Sequence, residues 1–133
     1  MKNEIKYRVI YQDTDAEGVV YYANYLGLFE RGRVEFMRQA GISLTRLKEK
    51  QGIVFAVIKV DCDYIAPAFF DDELTITTEI EKTTPVRIAF VQKVLRETKL
   101  LVSAKISVCS LDIKAMRPVK LPDDITKLSN STQ

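Results

Sequence analysis

Hydrophobic spacing along the chain starts as a short strand, turns helical, and then settles to a period of two. Ile5 to Tyr11 (IKYRVIY) is a branched and aromatic run of strand type. It stops at QDTDAEG, where acidic residues and Gly18 predict a turn. After Val-Val-Tyr-Tyr, Asn24 stands as the expected N-cap of a helix reaching Ala40. Tyr25, Leu28, Phe29, Gly32, Phe36 and Ala40 recur every three or four residues on one face. Glu30, Arg31, Arg33, Glu35 and Arg38 lie mostly elsewhere, and Arg31 and Glu35 have the spacing of a helical ion pair. Gly41 is placed to end the helix with a left-handed cap. Gly32 inside the apolar stripe is costly unless another surface must come very close. Ser43 to Lys50 reads as a shorter helical turn capped by Ser43.

From Ile53 the alternation predicts strands. Ile53 to Ala66 puts Val54, Ala56, Ile58, Val60, Cys62 and Tyr64 on one face. Leu74, Ile76, Thr78 and Ile80 alternate with Thr75, Thr77, Glu79 and Glu81. Val86 to Arg96 follows a Thr-Thr-Pro turn, and Leu100 to Val108 follows Glu97-Thr98-Lys99. Connections this short exclude crossover helices and predict a four-stranded antiparallel meander. Met116 to Leu121 is a further extended piece, Pro122 to Leu128 a terminal helical turn, and Ser129 to Gln133 a frayed tail. The fold class is α+β, a single domain over residues 1–133 with one helix on one face of a five-stranded sheet. Phe55, Val57, Ala89, Val91 and Leu95 fall on the opposite face, and apolar sheet surface without a cover implies further copies of the chain. A dimer at least, assembling into a tetramer as a dimer of dimers, is expected.

Composition narrows the chemistry. The sequence has no histidine and only two cysteines, Cys62 and Cys109, in apolar runs. This rules out imidazole catalysis and a His- or Cys-rich metal site, and it predicts two reduced thiols. Twenty basic against 18 acidic residues leave a net charge of +2, too little for nucleic acid as the main partner. No apolar run approaches the ~20 residues of a membrane span, and MKNEIKYRVI lacks a signal core. A cytoplasmic location is expected.

One segment carries more. Tyr11-Gln-Asp-Thr-Asp15-Ala-Glu-Gly18-Val-Val-Tyr-Tyr22-Ala-Asn24-Tyr25 and the following Phe29-Glu-Arg-Gly-Arg33 resemble the signature of hotdog-fold acyl-CoA thioesterases. The similarity is to the Tol–Pal-associated YbgC type, with 4-hydroxybenzoyl-CoA thioesterases as near relatives. It extends through Tyr64-Ile-Ala-Pro67-Ala and Met116-Arg-Pro118 and so covers nearly the whole chain. The resemblance implies a curled five-stranded sheet around one long helix, with protomers paired to form the sites. It implies that Asp15, the second aspartate of DTD, attacks the thioester or activates water. In that family histidine typically stands where this chain has Tyr22, and tyrosine stands there in the 4-hydroxybenzoyl-CoA relatives.

Carboxylate chemistry at a loop-to-helix junction suits a thioester, whose carbonyl becomes anionic in the transition state. Free backbone amides from Gly18 to Tyr22 can stabilise that charge, the Tyr22 amide foremost. Gly18 and Val19 are expected to bring backbone close to substrate, and Tyr11 to orient Asp15 or the attacking water. Asn24 is either a cap or a substrate contact. Asp13 is expected to serve the turn, and Glu30 to pair with Arg31 or Arg33. Arg87, Lys114, Arg117 and Lys120 are the candidates for a basic rim that receives CoA phosphates. No cofactor or metal is required, because CoA enters as part of the substrate. A non-catalytic acyl-CoA-binding or scaffold protein, associating with acyl carrier protein, is the alternative reading. A hotdog dehydratase is disfavoured because its site uses histidine.

Overall fold

The computed structural model describes residues 1–130. Five strands, β1 (Lys2–Arg8), β2 (Ile53–Tyr64), β3 (Glu73–Thr83), β4 (Arg87–Arg96) and β5 (Lys99–Asp112), form one antiparallel sheet. The long helix α1 (Asn24–Gln39) lies against it. A short helix α2 (Leu44–Arg46), capped by the Ser43 hydroxyl as expected, runs into a π-type turn at Leu47–Gln51. Helix α3 (Asp123–Asn130) packs on β3 and buries Ile125. Ser129 and Asn130 therefore close a helix rather than open a tail, and residues 131–133 of the expected tail lie outside the described residues.

The sheet order is β1-β3-β4-β5-β2, so only β3 to β5 form a meander. The expected four-strand meander is corrected, because β2 pairs with β5 at the far edge and β1 pairs with β3. Residues 65–72 connect β2, at one edge, to β3, three strand positions away. Eight residues can reach at most about 29 Å, enough to cross three strand spacings of about 4.8 Å.

A second correction concerns the faces of β2. Val57 pairs with Val108 and Lys59 with Ser107, which leaves Ile58 as an extra residue in a bulge. Alternation reverses there, so Phe55 and Val57 share with Val60 the side that meets α1. Phe55 and Val57 are thus not part of an outer apolar face. Exposed apolar surface gathers instead along the free edge, at Val57 (49% exposed), Val60 (41%) and Leu26 (41%) of α1. The apolar surface open to a second copy lies along that edge.

The helix sits close to the sheet for a reason visible at Gly32. A Cβ there would lie 2.6 Å from Thr78 Oγ1 and 2.9 Å from Gln92 Nε2. Gln92 is fully buried. Its Nε2 donates to the Phe29 carbonyl (2.8 Å) and to Thr78 Oγ1 (2.9 Å), while its Oε1 accepts from Arg33 Nη1 (3.0 Å). One amide thus satisfies partners on the helix and on the sheet, which is how a buried polar group avoids its desolvation cost. Phe29, Phe36, Ile76, Ile88 and Phe90 close the core around it.

Candidate active site

β1 ends at Arg8, and Tyr11–Asp13 form a 3-10 turn before the junction. Asp13 serves that turn, as expected. Its Oδ2 accepts from the Tyr7 hydroxyl (2.9 Å) and the Ile10 amide (2.8 Å), and its carbonyl accepts from the Tyr21 amide (2.9 Å). The Tyr7 phenol is pushed up by burial and by this carboxylate.

Asp15 opens a tight hairpin. Its amide donates to the Val19 carbonyl (2.9 Å) and its carbonyl accepts from the Gly18 amide (3.1 Å). Its Oδ1 accepts from the Glu17 amide (2.8 Å), which leaves Oδ2 without a partner among the described residues. Gly18 has φ +81°, which only glycine adopts cheaply. A Cβ there would meet nothing within 4 Å, so the glycine answers the turn rather than crowding. The Gly18 carbonyl accepts from Phe70, Val19 bridges Phe69, and the Val20 amide donates to Ala68. The hairpin is thereby tied to the segment that crosses from β2 to β3. That segment is itself anchored by Arg96, whose Nη1 lies 2.8 Å from Asp72 Oδ2 and 3.2 Å from the Pro67 carbonyl.

α1 begins at Asn24 with Ala23 in the cap position, so Asn24 is not the N-cap. Its side chain instead donates to the Asp13 carbonyl (2.8 Å), pinning the helix start to the 3-10 turn. The amides of Tyr22 and Ala23 have no acceptor among the described residues. An exposed carboxylate and two unsatisfied amides thus flank one junction, and free amides of this kind can stabilise negative charge developing on an oxygen.

Other expected residues fall differently. Tyr11 stacks on Phe70 with ring centroids 3.8 Å apart, is 74% exposed, and makes no hydrogen bond to Asp15. Glu30 has no ion pair within 4 Å among the described residues; Arg31 lies over the Tyr7 ring instead, and Glu35 pairs with Arg38 rather than Arg31. Arg33 is held by Gln92, and burial lowers its proton affinity somewhat, opposed by Glu30. Arg87 begins β4, and Lys114, Arg117 and Lys120 follow β5. They share the end of the sheet opposite Asp15, about 30 Å away along ten residues of β4, so one chain does not bring them together.

Sequence reasoning missed Tyr64, whose hydroxyl donates to the Tyr22 carbonyl at 3.0 Å. It also missed two adjoining cavities along α1 and β2. One of 260 Å³ is lined by Leu26, Gly27, Glu30, Val57 and Val60, and one of 240 Å³ by Val34, Met37, Leu44 and Phe55; Arg33 borders both. A third of 290 Å³ lies between Tyr22, Tyr25, Tyr64 and Pro67.

The model of the thioesterase-like superfamily matches residues 9–128. Acyl-CoA thioesterase YbgC of Haemophilus influenzae is 39% identical over 118 residues, covering 89% of this chain and 87% of that protein. The chain belongs to the YbgC acyl-CoA thioesterase family. Among solved structures, a probable thioesterase from Bartonella henselae superposes with a TM-score of 0.87 at 35% identity, over 92% of this chain and 100% of that one. A mutant 4-hydroxybenzoyl CoA thioesterase, complexed with 4-hydroxybenzoyl CoA, has the same fold. Its TM-score is 0.89 at 21% identity, over 96% of this chain and 98% of that one. The family membership and the five-stranded antiparallel sheet against one long helix agree with the hotdog architecture that the sequence implied. Among the described residues, no helix is long and apolar enough to cross a membrane.

Proposed function

We propose that this YbgC-family enzyme hydrolyses CoA thioesters at the Asp15–Tyr22 junction. Asp15 supplies the carboxylate, and the Tyr22 and Ala23 amides receive the carbonyl oxygen. The observation that carries the reading is the free Oδ2 of Asp15 on the same loop-to-helix junction as those two amides. As a base, Asp15 takes a proton from water while the hydroxyl adds to the carbonyl carbon. The carbon–sulfur bond then breaks, CoA leaves as thiolate and takes up a proton, and the free acid departs. As a nucleophile, Asp15 displaces CoA thiolate to form a mixed anhydride, which water opens at the Asp15 carbonyl to free the acid and restore the carboxylate. Single turnover in ¹⁸O-water separates the two, since label recovered in the Asp15 carboxylate marks direct attack. The amides favour the oxyanion over the neutral carbonyl in either route.

The distant basic residues enter this reading through a second copy. The β2 edge is unpaired and apolar, and an antiparallel twofold along it sets the first residues of one β2 beside the last residues of the other. Gly52 bonds Ile113, so the 114–120 segment of a second copy would approach the Tyr22 end of the first. There Lys114 and Arg117 suit CoA phosphates in trans. The α1/β2 cavities would hold the acyl chain.

Thiol release from short-chain, long-chain and aromatic acyl-CoAs tests the proposal. Turnover of any one class is expected. Tight binding of every class without release would favour the scaffold reading instead.

A further inference from the structure

The Tyr22–Ala23 peptide is held from outside the helix. α1 begins only at Asn24, and the Leu26 amide, which would reach back to Tyr22 in a regular helix, bonds the Ala23 carbonyl instead (3.2 Å). The Tyr22 carbonyl is therefore free of the helical ladder. Its donor among the described residues is the Tyr64 hydroxyl at 3.0 Å, from the last residue of β2. The Tyr64 ring meets Tyr22 edge-on (centroids 6.2 Å apart) and tilts against Tyr25 (5.7 Å).

A trans peptide is planar, with its carbonyl and N–H pointing in opposite directions. The described peptides are all trans. Whatever fixes the Tyr22 carbonyl therefore also fixes the Ala23 N–H, which has no acceptor of its own. The neighbouring unit is built alike, since the Tyr21 carbonyl accepts from the Asn24 amide (2.9 Å) and leaves the Tyr22 N–H facing out. A bond received at the carbonyl also strengthens donation from the N–H of the same amide, by about 10–30%.

We infer that Tyr64 is a positioning residue, whose hydroxyl holds the Tyr22–Ala23 peptide so that the Ala23 N–H meets the developing oxyanion. This deepens the reaction proposed above and rests on it. Tyr64 touches no substrate atom in this account; it sets the direction and donor strength of an amide that does. Burial and the neighbouring Cys62 push the Tyr64 phenol up to about 12, so the donor keeps its proton throughout the neutral range.

Tyr64→Phe keeps the ring and deletes the hydroxyl. Losing a whole oxyanion donor costs about 10²–10³ in kcat. Here the donor is loosened rather than removed, and a fall of about tenfold in kcat is expected, with KM within about twofold and the thermal midpoint unchanged. The carbonyl stretch of an acyl-CoA bound to Asp15→Asn should shift to higher wavenumber in Asp15→Asn/Tyr64→Phe. Unchanged kcat overturns the inference. So does a loss of kcat matched by a lower midpoint with the carbonyl stretch unmoved, which marks a purely structural role. Full activity in Asp15→Asn would remove the carboxylate mechanism while leaving the Tyr64→Phe kinetics readable, so the two failures are distinguishable.

Discussion

Replacing Gly32 with alanine tests how closely α1 is held to the sheet. Alanine in a helix interior is worth about 1 kcal/mol over glycine, so propensity alone predicts a more stable protein. The surroundings oppose this. The new Cβ would fall 2.6 Å from Thr78 Oγ1, 2.9 Å from Gln92 Nε2 and 3.1 Å from Ile76 Cγ2, and all three residues are fully buried on the sheet. Overpacking of this kind costs about 1–3 kcal/mol. Displacing Gln92 also strips its amide of the Phe29 carbonyl and Thr78, which adds about 1–3 kcal/mol for an unsatisfied buried group. Less the propensity gain, the expected net loss is about 1–5 kcal/mol, and its middle value of about 3 kcal/mol corresponds to about 10 °C in the thermal midpoint of a chain this size. Urea and thermal unfolding at one fixed protein concentration measure it. In a Thr78→Ala background the same substitution should cost at least about 1 kcal/mol less, because the nearest atom is gone. A neutral or stabilising Gly32→Ala would show that the helix rides higher over the sheet, and the packing argument would fail.

Other outcomes follow from the same geometry. Gly18→Ala strains a left-handed residue (φ +81°) by about 1 kcal/mol and shifts the Asp15 hairpin. Its kcat should drop far more than its midpoint, and parent-like kinetics would mean that the turn does not place Asp15. Val60→Lys puts a charge on the exposed β2 edge and should yield monomers in light scattering, with turnover lost; an unchanged mass would place the interface elsewhere. Asp112 accepts amides from Ala115 (2.8 Å) and Lys114 (2.9 Å), which hold its carboxyl below the usual range. That contribution is complete above about pH 4 and fades as pH falls through the lowered value. Asp112→Asn should therefore trail the parent in thermal midpoint at pH 7, with the gap closing in acid.

Helix α1 was legible because its stripe and its glycine speak for themselves: Gly32 asks for a close neighbour, and Thr78 and Gln92 supply one. Asp13 as a turn residue and Ser43 as a cap were readable from local chemistry alone. The pairing of β2 was not, since short connections make a meander the natural expectation, whereas residues 65–72 carry the chain past β4 and β5 to leave β2 at the far edge. Nor was the bulge at Ile58. The run IVFAVIKV is apolar on both faces, so an inserted residue leaves no break in its pattern. Arg87 and Arg117 looked like neighbours of the site because their distance from it depends on which sheet end each occupies. Tyr64 read as one more strand aromatic, for nothing in a sequence tells which carbonyl a hydroxyl will meet.

The central claim is that the Asp15 carboxylate breaks the thioester. Asp15→Asn preserves the side-chain oxygen that receives the Glu17 amide and removes only the charge. With whichever acyl-CoA the parent turns over, thiol release should fall by about 10²–10⁴ in kcat while the thermal midpoint stays put. Release within about twofold of the parent would show that another group performs the hydrolysis.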